Sequence, residues 1–514
     1  MGIRKITTFA APVVVGALLL AGCAASDDDN GSTTPDAGPP SEPTGTVRIN
    51  FGIAPTTWAP DSPADTGYLR VPYETLVTLG DEGAIMPNLA TEWGQTATDL
   101  TLTLRDDVTF HDGEPFNAEA VKANLEYGRD NPGQYTGALQ AIESIDVIDD
   151  TTVKINFLYP APTFLTTLAQ RGAFMASPAS LADGSAADAP VGTGPWAYNA
   201  AESVDGTTWV FDATDDYWGE SPGFETIELY AIADEAAAAA ALLNGEIDVT
   251  DVEESQLSRI ESSATTETLT YPAVRNNITF FDRGPGGVFE NPEVRRAVCT
   301  AIDHQGMMDL PAASYLELPD QHFLEGDPGY NPDIEGMDYD VEAAQEMLDG
   351  ATVEASFPSA PFLSQQLQYM ADGMNQLEGV DISVQELPVP EFVTTWNSGQ
   401  YALGVGQNQE MTPYDWYKTW FSADARNNPS GYESPELKAA ADAAIAAGDT
   451  EEADALWQEV MRIIIDDEVL GCAFGVGGQI IAWNTSTVAG DVEPTMPYEV
   501  NLINLRGIYP ANAE

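Results

Sequence analysis

The sequence from Tyr68 to Gly128 reads YLRVPYETLVTLGDEGAIMPNLATEWGQTATDLTLTLRDDVTFHDGEPFNAEAVKANLEYG and has the clearest local patterning in the chain. Leucines alternate with threonines from Leu100 to Leu104, which is the period of a half-buried β-strand. Asn117 then stands where a helix N-cap is expected, ahead of an apolar helical face that begins at Val121. Turn, strand, turn and capped helix in quick succession predict a compact α+β unit.

Several segments of the chain carry information beyond this local pattern. In chain order they are YETLVTLGDEG, MPNLATEW, LTLRDDVTFHDGEPFNAEAV, VGTGPW, YWG, NGEIDV and NPEVRRAVCTAID. Together they resemble the substrate-binding proteins of ABC importers, in the large family best known for peptide, dipeptide and nickel uptake (solute-binding protein family 5). The resemblance covers most of the span from Thr46 to Tyr509.

The resemblance implies an α/β protein with a two-lobed, periplasmic-binding-protein-like fold of class II type. Lobe I is expected over residues 46–272 and includes a small α+β subdomain inserted at about 73–190. Lobe II is expected over residues 273–484, and residues 485–514 are expected to return to lobe I. By this resemblance the two lobes close over a small solute, a peptide or a related polar molecule, and deliver it to the permease subunits of an ABC importer.

The second half of the sequence alternates helices and strands from Asp340 onward, as in VEAAQEMLDG followed by ATVEASF. Repeated β-α-β units favour a mostly parallel sheet with helices on both faces and a ligand crevice at the carboxyl ends of the strands. An apolar strand near Ala473–Trp483 and a last strand at Val500–Leu505 complete this pattern. The length of 514 residues agrees with more than one lobe, because it exceeds what one hydrophobic core holds.

The N-terminal residues 1–22 are interpreted as a lipoprotein signal peptide. Basic residues precede an apolar run, Val13–Leu20, that is too short to span a bilayer as a mature helix. The run ends in Leu-Ala-Gly-Cys23, which resembles the lipobox of bacterial lipoproteins and implies cleavage before Cys23 and its lipidation. The alternative is an ordinary secretory peptide with a chance cysteine. Residues 23–45 are expected to form a disordered tether, which would hold the protein on the extracytoplasmic face of the cell membrane.

The charge of the chain limits its partners. With 19 Lys and Arg against 82 Asp and Glu, the formal net charge is −63. Such a surface repels phosphate backbones and anionic lipid headgroups, so we expect no nucleic acid partner and no charge-driven membrane binding. Two interpretations of the charge stay open: adaptation for solubility or high salt, and attraction of cationic solutes.

No pattern in the sequence indicates catalysis, a cofactor or a metal. The three histidines, His111, His304 and His322, are isolated, and HExxH, Gly-x-Ser-x-Gly, Cys-x-x-Cys and P-loop motifs are absent. We therefore predict that the protein is not an enzyme and has no cofactor and no metal. The resemblance implies a binding protein, which we expect to be a monomer. Two rivals stay open: a secreted hydrolase that uses paired acids, and a sensory or adhesion lipoprotein of the same fold.

The candidate solute contacts lie in the run Gly404–Trp416, where the peptide-binding relatives present a strand and then an acidic segment. By that resemblance the ligand-binding residues are Gln407, Asn408, Gln409, Glu410, Tyr414, Asp415 and Trp416, with Trp58 from lobe I. The acid that pairs with a peptide's amino terminus has no clear counterpart, so sugars, amides and other polar solutes stay open. The two acids could hold a cationic group, and the three aromatic rings could form apolar walls. The alternative is that the rings pack at a helix start and the acids are solvated.

Two cysteines remain once Cys23 is assigned to lipidation. Cys299 and Cys472 both fall in the expected lobe II, and an exported protein meets an oxidising environment that favours pairing. A disulfide between them and two separate buried thiols both agree with the sequence.

Overall fold

The computed structural model of the chain describes residues 38–52, 54–60, 67–80, 84–131, 137–170, 173–308, 310, 315–317, 319–334, 336–408, 412–448, 451–494 and 503–512. The strands among them are β1 (Thr46–Asn50), β2 (Val77–Leu79), β3 (Ile85–Pro87), β4 (Ala90–Gln95), β5 (Asp99–Leu104), β6 (Ile142–Asp149), β7 (Thr152–Phe157), β8 (Trp196–Tyr198), β9 (Thr208–Ala213), β10 (Thr226–Tyr230), β11 (Val249–Asp251), β12 (Thr266–Phe280), β13 (Tyr315–Glu317), β14 (Val353–Ser359), β15 (Val380–Glu386), β16 (Leu403–Asn408), β17 (Gly471–Asn484), β18 (Val488–Gly490) and β19 (Ile508–Pro510). The helices are α1 (Ala118–Asp130), α2 (Phe164–Ala169), α3 (Pro178–Asp183), α4 (Glu235–Leu243), α5 (Glu254–Glu261), α6 (Pro292–Thr300), α7 (His304–Met307), α8 (Val341–Leu348), α9 (Ser364–Met374), α10 (Val389–Thr395), α11 (Pro413–Trp420), α12 (Pro435–Ala447) and α13 (Glu451–Arg462).

The patterned stretch of sequence forms the predicted α+β unit. Its antiparallel sheet has the strand order β4-β5-β7-β6, and the leucines of β5 are buried while its threonines are half-buried. The side chain of Asn117 accepts a hydrogen bond of 3.0 Å from the backbone N–H of Ala120, so the predicted start of α1 is confirmed. Val121 and Leu125 of α1 pack in the same hydrophobic core as the strands. We call this unit the inserted subdomain.

A nine-stranded sheet connects the rest of the molecule in the order β16-β12-β17-β11-β1-β10-β9-β8, with β13 paired to β17. Its longest strands are β12, with 15 residues, and β17, with 14, and these two pair antiparallel along most of their length. One part of this pair lies beside β11 and the other beside β16. The register shifts between Pro272 and Val274 and between Asn276 and Asn277, as at a β-bulge, which bends a strand. We call β12 and β17 the crossing strands.

Hydrophobic cores lie at both ends of the crossing strands. At the end beside β1, which is lobe I, Val47 and Trp196 pack in one core. At the end beside β16, which is lobe II, one core surrounds Val298 and Leu367 and another surrounds Trp420 and the helices α12 and α13. The molecule is therefore a two-lobed α/β protein that carries the inserted α+β subdomain.

The prediction of a mostly parallel sheet in lobe II is wrong. The strand β12 pairs antiparallel with both β16 and β17. Among the described strands of this lobe, the parallel pair is β14 with β15, which form a separate two-stranded sheet. Alternation of helices and strands along the chain does not determine which strands become neighbours, because pairing joins residues that are distant in sequence.

The C-terminal residues differ from the predicted last strand. Of the stretch Val500–Leu505, residues 500–502 lie outside the described part, and Ile503 and Leu505 are buried in the lobe I core without forming a strand. The last described strand is β19, which pairs antiparallel with β18. The strand was predicted from the apolar residues of this stretch. Ile503 and Leu505 instead pack their side chains into the core without forming a ladder of backbone hydrogen bonds.

Candidate functional site

The last residue of β16, Asn408, lies against the crossing strand β12 and is fully buried, with 0% of its surface exposed. Its Nδ2 donates to the backbone carbonyls of Arg275 at 3.2 Å and Gly406 at 3.1 Å. Its Oδ1 has no hydrogen-bond partner among the described residues. A buried acceptor without a donor is unfavourable, so this oxygen is suited to an N–H group supplied by a ligand.

Further polar residues lie on β12, which pairs with β16, and in the chain that follows α7. Arg275, 2% exposed, pairs through Nη2 with the Asp327 carboxylate at 2.5 Å, and its guanidinium lies over the ring of Phe323. Asn277 Nδ2 lies 2.8 Å from His322 Nδ1. We call Arg275, Asn277, His322, Asp327 and Asn408 the polar cluster. The Arg–Asp pair balances its charge, and the amides provide its remaining polarity.

The ring of Trp416, on α11, stacks on His322 with 4.2 Å between ring centroids and an angle of 7° between the planes. The edges of Phe323 and Phe421 contact it as well, and only 2% of Trp416 is exposed. Trp58 is 3% exposed and packs against four rings of the lobe I core, those of Tyr68, Tyr198, Trp209 and Phe211. Both tryptophans therefore pack against rings of their own lobe, and their expected role as apolar walls of the crevice stays a prediction.

The residue before Trp416 contacts the inserted subdomain. Thr163 Oγ1 donates to Asp415 Oδ1 at 2.9 Å, and Thr412 Oγ1 donates to Asp415 Oδ2 at 2.6 Å. Tyr414 also reaches across, with its hydroxyl 3.5 Å from the carbonyl oxygen of Pro160. Burial raises the pKa of the Asp415 carboxyl, while the hydrogen bonds from Thr412 and Thr163 act in the opposite direction. Both carboxylate oxygens thus accept hydrogen bonds from hydroxyl groups, and the cation-holding role expected of Asp415 stays a prediction.

The other predicted contacts are only partly described. Gln407 belongs to β16 through its backbone, where it pairs with Asn276. Gln409 and Glu410 lie outside the described residues, so a cation at Glu410 stays a prediction. Cys23 also lies outside the described residues.

The two remaining cysteines are close together in lobe II. Cys299, on α6, and Cys472, on β17, are joined as a disulfide with 6.4 Å between their Cα atoms. That separation lies within the range of native disulfides. The bond would tie a helix of lobe II to a crossing strand.

Sequence reasoning missed a buried and highly connected acid of lobe I. Glu74 is 3% exposed and accepts hydrogen bonds from Thr193 Oγ1 at 2.9 Å, Tyr217 OH at 2.8 Å and Trp218 Nε1 at 2.8 Å. Arg506 forms an ion pair with the same carboxylate. Glu74 and its hydrogen-bond donors Thr193, Tyr217 and Trp218 belong to the segments YETL, VGTGPW and YWG, so three of the segments that carry the family resemblance meet at one carboxylate. An acid within the apolar run around YETLV was the signal available in the sequence.

The part of the chain that the structure describes contains no cluster of three or more His, Cys, Asp or Glu side chains suited to a metal, and none of its helices is both long and apolar enough to cross a membrane. A groove of about 620 Å³ is lined by Pro40–Thr46 with Phe224, Ser486, Thr487, Pro510 and Asn512. The groove shares no residue with the polar cluster.

Comparison with known proteins identifies the fold and the family. Residues 84–430 match the family model of the bacterial extracellular solute-binding proteins, family 5 (middle region). The probable D,D-dipeptide-binding periplasmic protein DdpA of Escherichia coli K12 is 26% identical over 423 residues, which cover 77% of this chain and 81% of that protein. The nickel-binding periplasmic protein of the same organism is 24% identical over 471 residues, or 84% of this chain and 88% of that protein.

Solved structures agree in fold. The periplasmic binding protein DppA of Helicobacter pylori, in complex with the peptide STSA, superposes with a TM-score of 0.75 at 20% identity, covering 92% of this chain and 99% of that one. The dipeptide binding protein of Pseudoalteromonas sp. SM9913, in complex with Met-Leu, gives 0.75 at 19% identity and covers 91% of this chain and 100% of that one. The two-lobed periplasmic-binding-protein fold expected from the sequence is confirmed. The chain therefore belongs to family 5 of the bacterial extracellular solute-binding proteins, the solute-binding and non-enzymatic components of ABC importers.

Proposed function

We propose that this protein captures a peptide, or a related polar solute with amide groups, between its two lobes and presents it to a specific ABC permease. The observation that carries this proposal is Asn408 Oδ1, a buried acceptor with no partner among the described residues, beside the paired Arg275 and Asp327. An acceptor in such a place favours a ligand that brings an N–H donor. The relatives are named for D,D-dipeptides and nickel, so family membership alone leaves the solute class open.

The division of the chain is part of the proposal. Lobe I would comprise residues 46–272, with the inserted subdomain at about 73–190, and residues 485–514. Lobe II would comprise residues 273–484. The register shifts of the crossing strands near Pro272 and Asn276 support a hinge at the boundary between residues 272 and 273. Closure needs such a short segment to absorb the change in backbone angles.

The test is a thermal-shift screen of the purified protein against dipeptides, tripeptides, glutathione, simple sugars and Ni²⁺, followed by calorimetry on each binder. A solute at 100 times its Kd stabilises the native state by about 2.7 kcal/mol, which a shift in Tm detects. We expect a peptide or amide to bind and to be recovered chemically unchanged. Binding of Ni²⁺ or sugars alone, or recovery of a cleaved solute, would contradict the proposal.

Substitution at the site sharpens this test. Asn408→Ala removes the proposed acceptor and should weaken solute binding by about 1–3 kcal/mol. Asn156→Ala is the matched control, because Asn156 is an asparagine of the inserted subdomain that bonds Ser144 and Asp146 at a distance from the polar cluster. Equal affinity in the two variants would place the solute elsewhere.

We also propose a lipid anchor at Cys23 and a monomeric state. The sequence Leu-Ala-Gly-Cys23 after a short apolar run supports the anchor. A tether of about 22 residues has a root-mean-square reach of about 25–30 Å, which would keep the lobes near the permease. Mass spectrometry of the protein isolated from membranes should find residues 1–22 absent and Cys23 acylated, and light scattering should give the mass of one chain. An unmodified Cys23 or a stable dimer would refute the corresponding part.

A further inference from the structure

Two segments that are distant in sequence meet where the inserted subdomain contacts lobe II. The first is Tyr159–Thr163, which leads into α2, and the second is Thr412–Asp415, which begins α11. Thr163 and Asp415 are 252 residues apart in sequence and are joined by a hydrogen bond of 2.9 Å. The Tyr414 hydroxyl and the Pro160 carbonyl add a second, longer contact of 3.5 Å. Among the described residues, these are the side-chain hydrogen bonds that connect the inserted subdomain to lobe II.

Asp415 is held rigidly on its own side of this contact. Thr412 is the N-cap of α11, and its Oγ1 accepts a hydrogen bond of 3.2 Å from the backbone N–H of Asp415. The same hydroxyl donates to Asp415 Oδ2 at 2.6 Å, so Thr412 and Asp415 form a capping pair at the helix start. This arrangement leaves Asp415 Oδ1 directed toward Thr163. It therefore fixes where the Thr163 hydroxyl must lie when the inserted subdomain contacts lobe II.

The surroundings of Asp415 lack a compensating cation among the described residues. The titratable groups near the contact are Tyr159, Tyr414 and Asp424, all acidic types. Lys418 lies one turn along α11, but its Nζ is bound to Asp424 Oδ1 at 2.9 Å. A carboxylate that loses water without gaining a cation favours its protonated form. Separation of the lobes would return Asp415 to water and remove that effect.

We propose that Thr163 and Asp415 form a closure latch, a contact that stabilises the closed arrangement of the lobes without touching the solute and becomes stronger as the pH falls. The latch rests on the proposed closure of the lobes over a solute. Thr163 and Asp415 are thus positioning residues, which set the fraction of closed molecules and through it the apparent affinity for any solute. In this arrangement the Asp415 side chain bonds the inserted subdomain across the interface and does not contact the solute.

The test compares the unliganded wild-type protein with Thr163→Val, Thr166→Val and Asp415→Asn by small-angle X-ray scattering at about pH 5 and about pH 8. Thr163→Val keeps the shape of the side chain and removes the donor. Thr166, half-buried on the same helix, is the matched control. Asp415→Asn keeps an acceptor for Thr163 but cannot ionise.

We expect Thr163→Val to lower the ratio of closed to open molecules by roughly tenfold, the upper end of the effect of losing one hydrogen bond. The wild type and Thr166→Val should be more compact at the lower pH, and Asp415→Asn should be equally compact at both. Identical scattering of Thr163→Val and Thr166→Val at both pH values would overturn the latch. If circular dichroism shows that Thr163→Val does not fold, the test rests on Asp415→Asn. A pH response of Asp415→Asn equal to that of the wild type would also overturn the latch. No solute is present in this experiment, so a failed solute screen would count against the proposed function and leave this result intact.

Discussion

Glu74 and Asp415 are both acids that join distant parts of the chain, but the two junctions are built differently. Glu74 accepts hydrogen bonds from Thr193, Tyr217 and Trp218 and pairs with Arg506. Among the described residues, the Asp415 carboxylate accepts hydrogen bonds from hydroxyl groups alone, from Thr163 across the interface and from Thr412, the N-cap of α11.

This difference separates a permanent junction from a reversible one. Opening the Glu74 junction would leave a buried carboxylate, two aromatic donors and a guanidinium without their partners, and uncompensated buried charge is strongly destabilising. Opening the Asp415 contact returns one carboxyl and one hydroxyl to water, where both are well solvated. The Glu74 junction therefore favours a permanent attachment of the inserted subdomain to the rest of lobe I, and the Asp415 contact favours one that can separate, as the proposed closure requires.

The largest effect is expected from Glu74→Gln. The amide removes the charge opposite Arg506 and brings a donor toward the indole N–H of Trp218, so the free energy of unfolding should fall by about 3–4 kcal/mol. Arg506 keeps 47% of its side chain exposed, which limits the penalty for its lost partner. A thermal or urea denaturation measures the loss. Glu92→Gln, an exposed site on β4, changes the charge equally and should have almost no effect; equal losses in both variants would show that the Glu74 junction is not special.

The next effect concerns the covalent tie within lobe II. Replacing both Cys299 and Cys472 by serine should lower the free energy of unfolding by about 2–3 kcal/mol, because the disulfide restricts the unfolded chain. Reductant should destabilise the wild type by a similar free energy, which is seen as a lower Tm, and should leave the Tm of the double variant unchanged. Titration of the unfolded, unreduced protein that finds both thiols free would refute the pairing.

A smaller loss is expected from Gly192→Ala beside the Glu74 junction. A Cβ at this position would lie 1.9 Å from the carbonyl oxygen of Pro72 and 2.7 Å from the ring of Tyr73, so the two segments would have to move apart. Overpacking of this kind destabilises by about 1–3 kcal/mol. Gly94→Ala is the control, because a Cβ there meets no atom within 4 Å. Equal Tm values for the two variants would show that the junction tolerates separation.

The smallest effect is the pH dependence of solute affinity. Burial raises the pKa of Asp415 when the lobes touch, whereas an open interface returns the carboxyl to its ordinary value of about 3.9. Protonation of Asp415 then stabilises the closed arrangement fully at pH values below the ordinary pKa. This stabilisation is lost as the pH rises through the raised pKa. Calorimetry with a binder from the solute screen should give weaker binding at higher pH, and Asp415→Asn should reduce that slope. An unchanged slope would assign the pH dependence to other groups.

The sequence predicted those parts of the structure that depend on neighbours along the chain. Asn117 caps α1 as expected, because the cap and its partner Ala120 are only three residues apart. The resemblance supplied the two lobes, which no periodicity could reveal. The pair Thr412 and Asp415 was also a visible local signal, a capping pair around a proline at the first helical position, and it indicates why Asp415 is not a free acid.

What the sequence did not predict depends on contacts between distant residues. The predicted strand direction in lobe II was wrong because β12 pairs with β16 and β17, which lie more than a hundred residues later in the chain. The partners of Glu74 lie between 119 and 432 residues away, and Thr163 lies 252 residues from Asp415. The ring partners of Trp58 and Trp416 within each lobe were also not predicted, and the place of these tryptophans in the crevice stays a prediction.

The return of the C-terminal residues to lobe I has a consequence for the order of folding. Ile503, Leu505 and Ile508 fill a core begun by Val47, and Arg506 meets Glu74 across 432 residues of chain. Closing so large a loop carries a high entropic cost, and contacts of this separation form late and slowly. The inserted subdomain and most of lobe II consist of continuous stretches of chain and can assemble first. The lobe that starts earliest in the sequence is therefore the last to be completed, and until then its unfilled core exposes apolar surface that a chaperone would recognise.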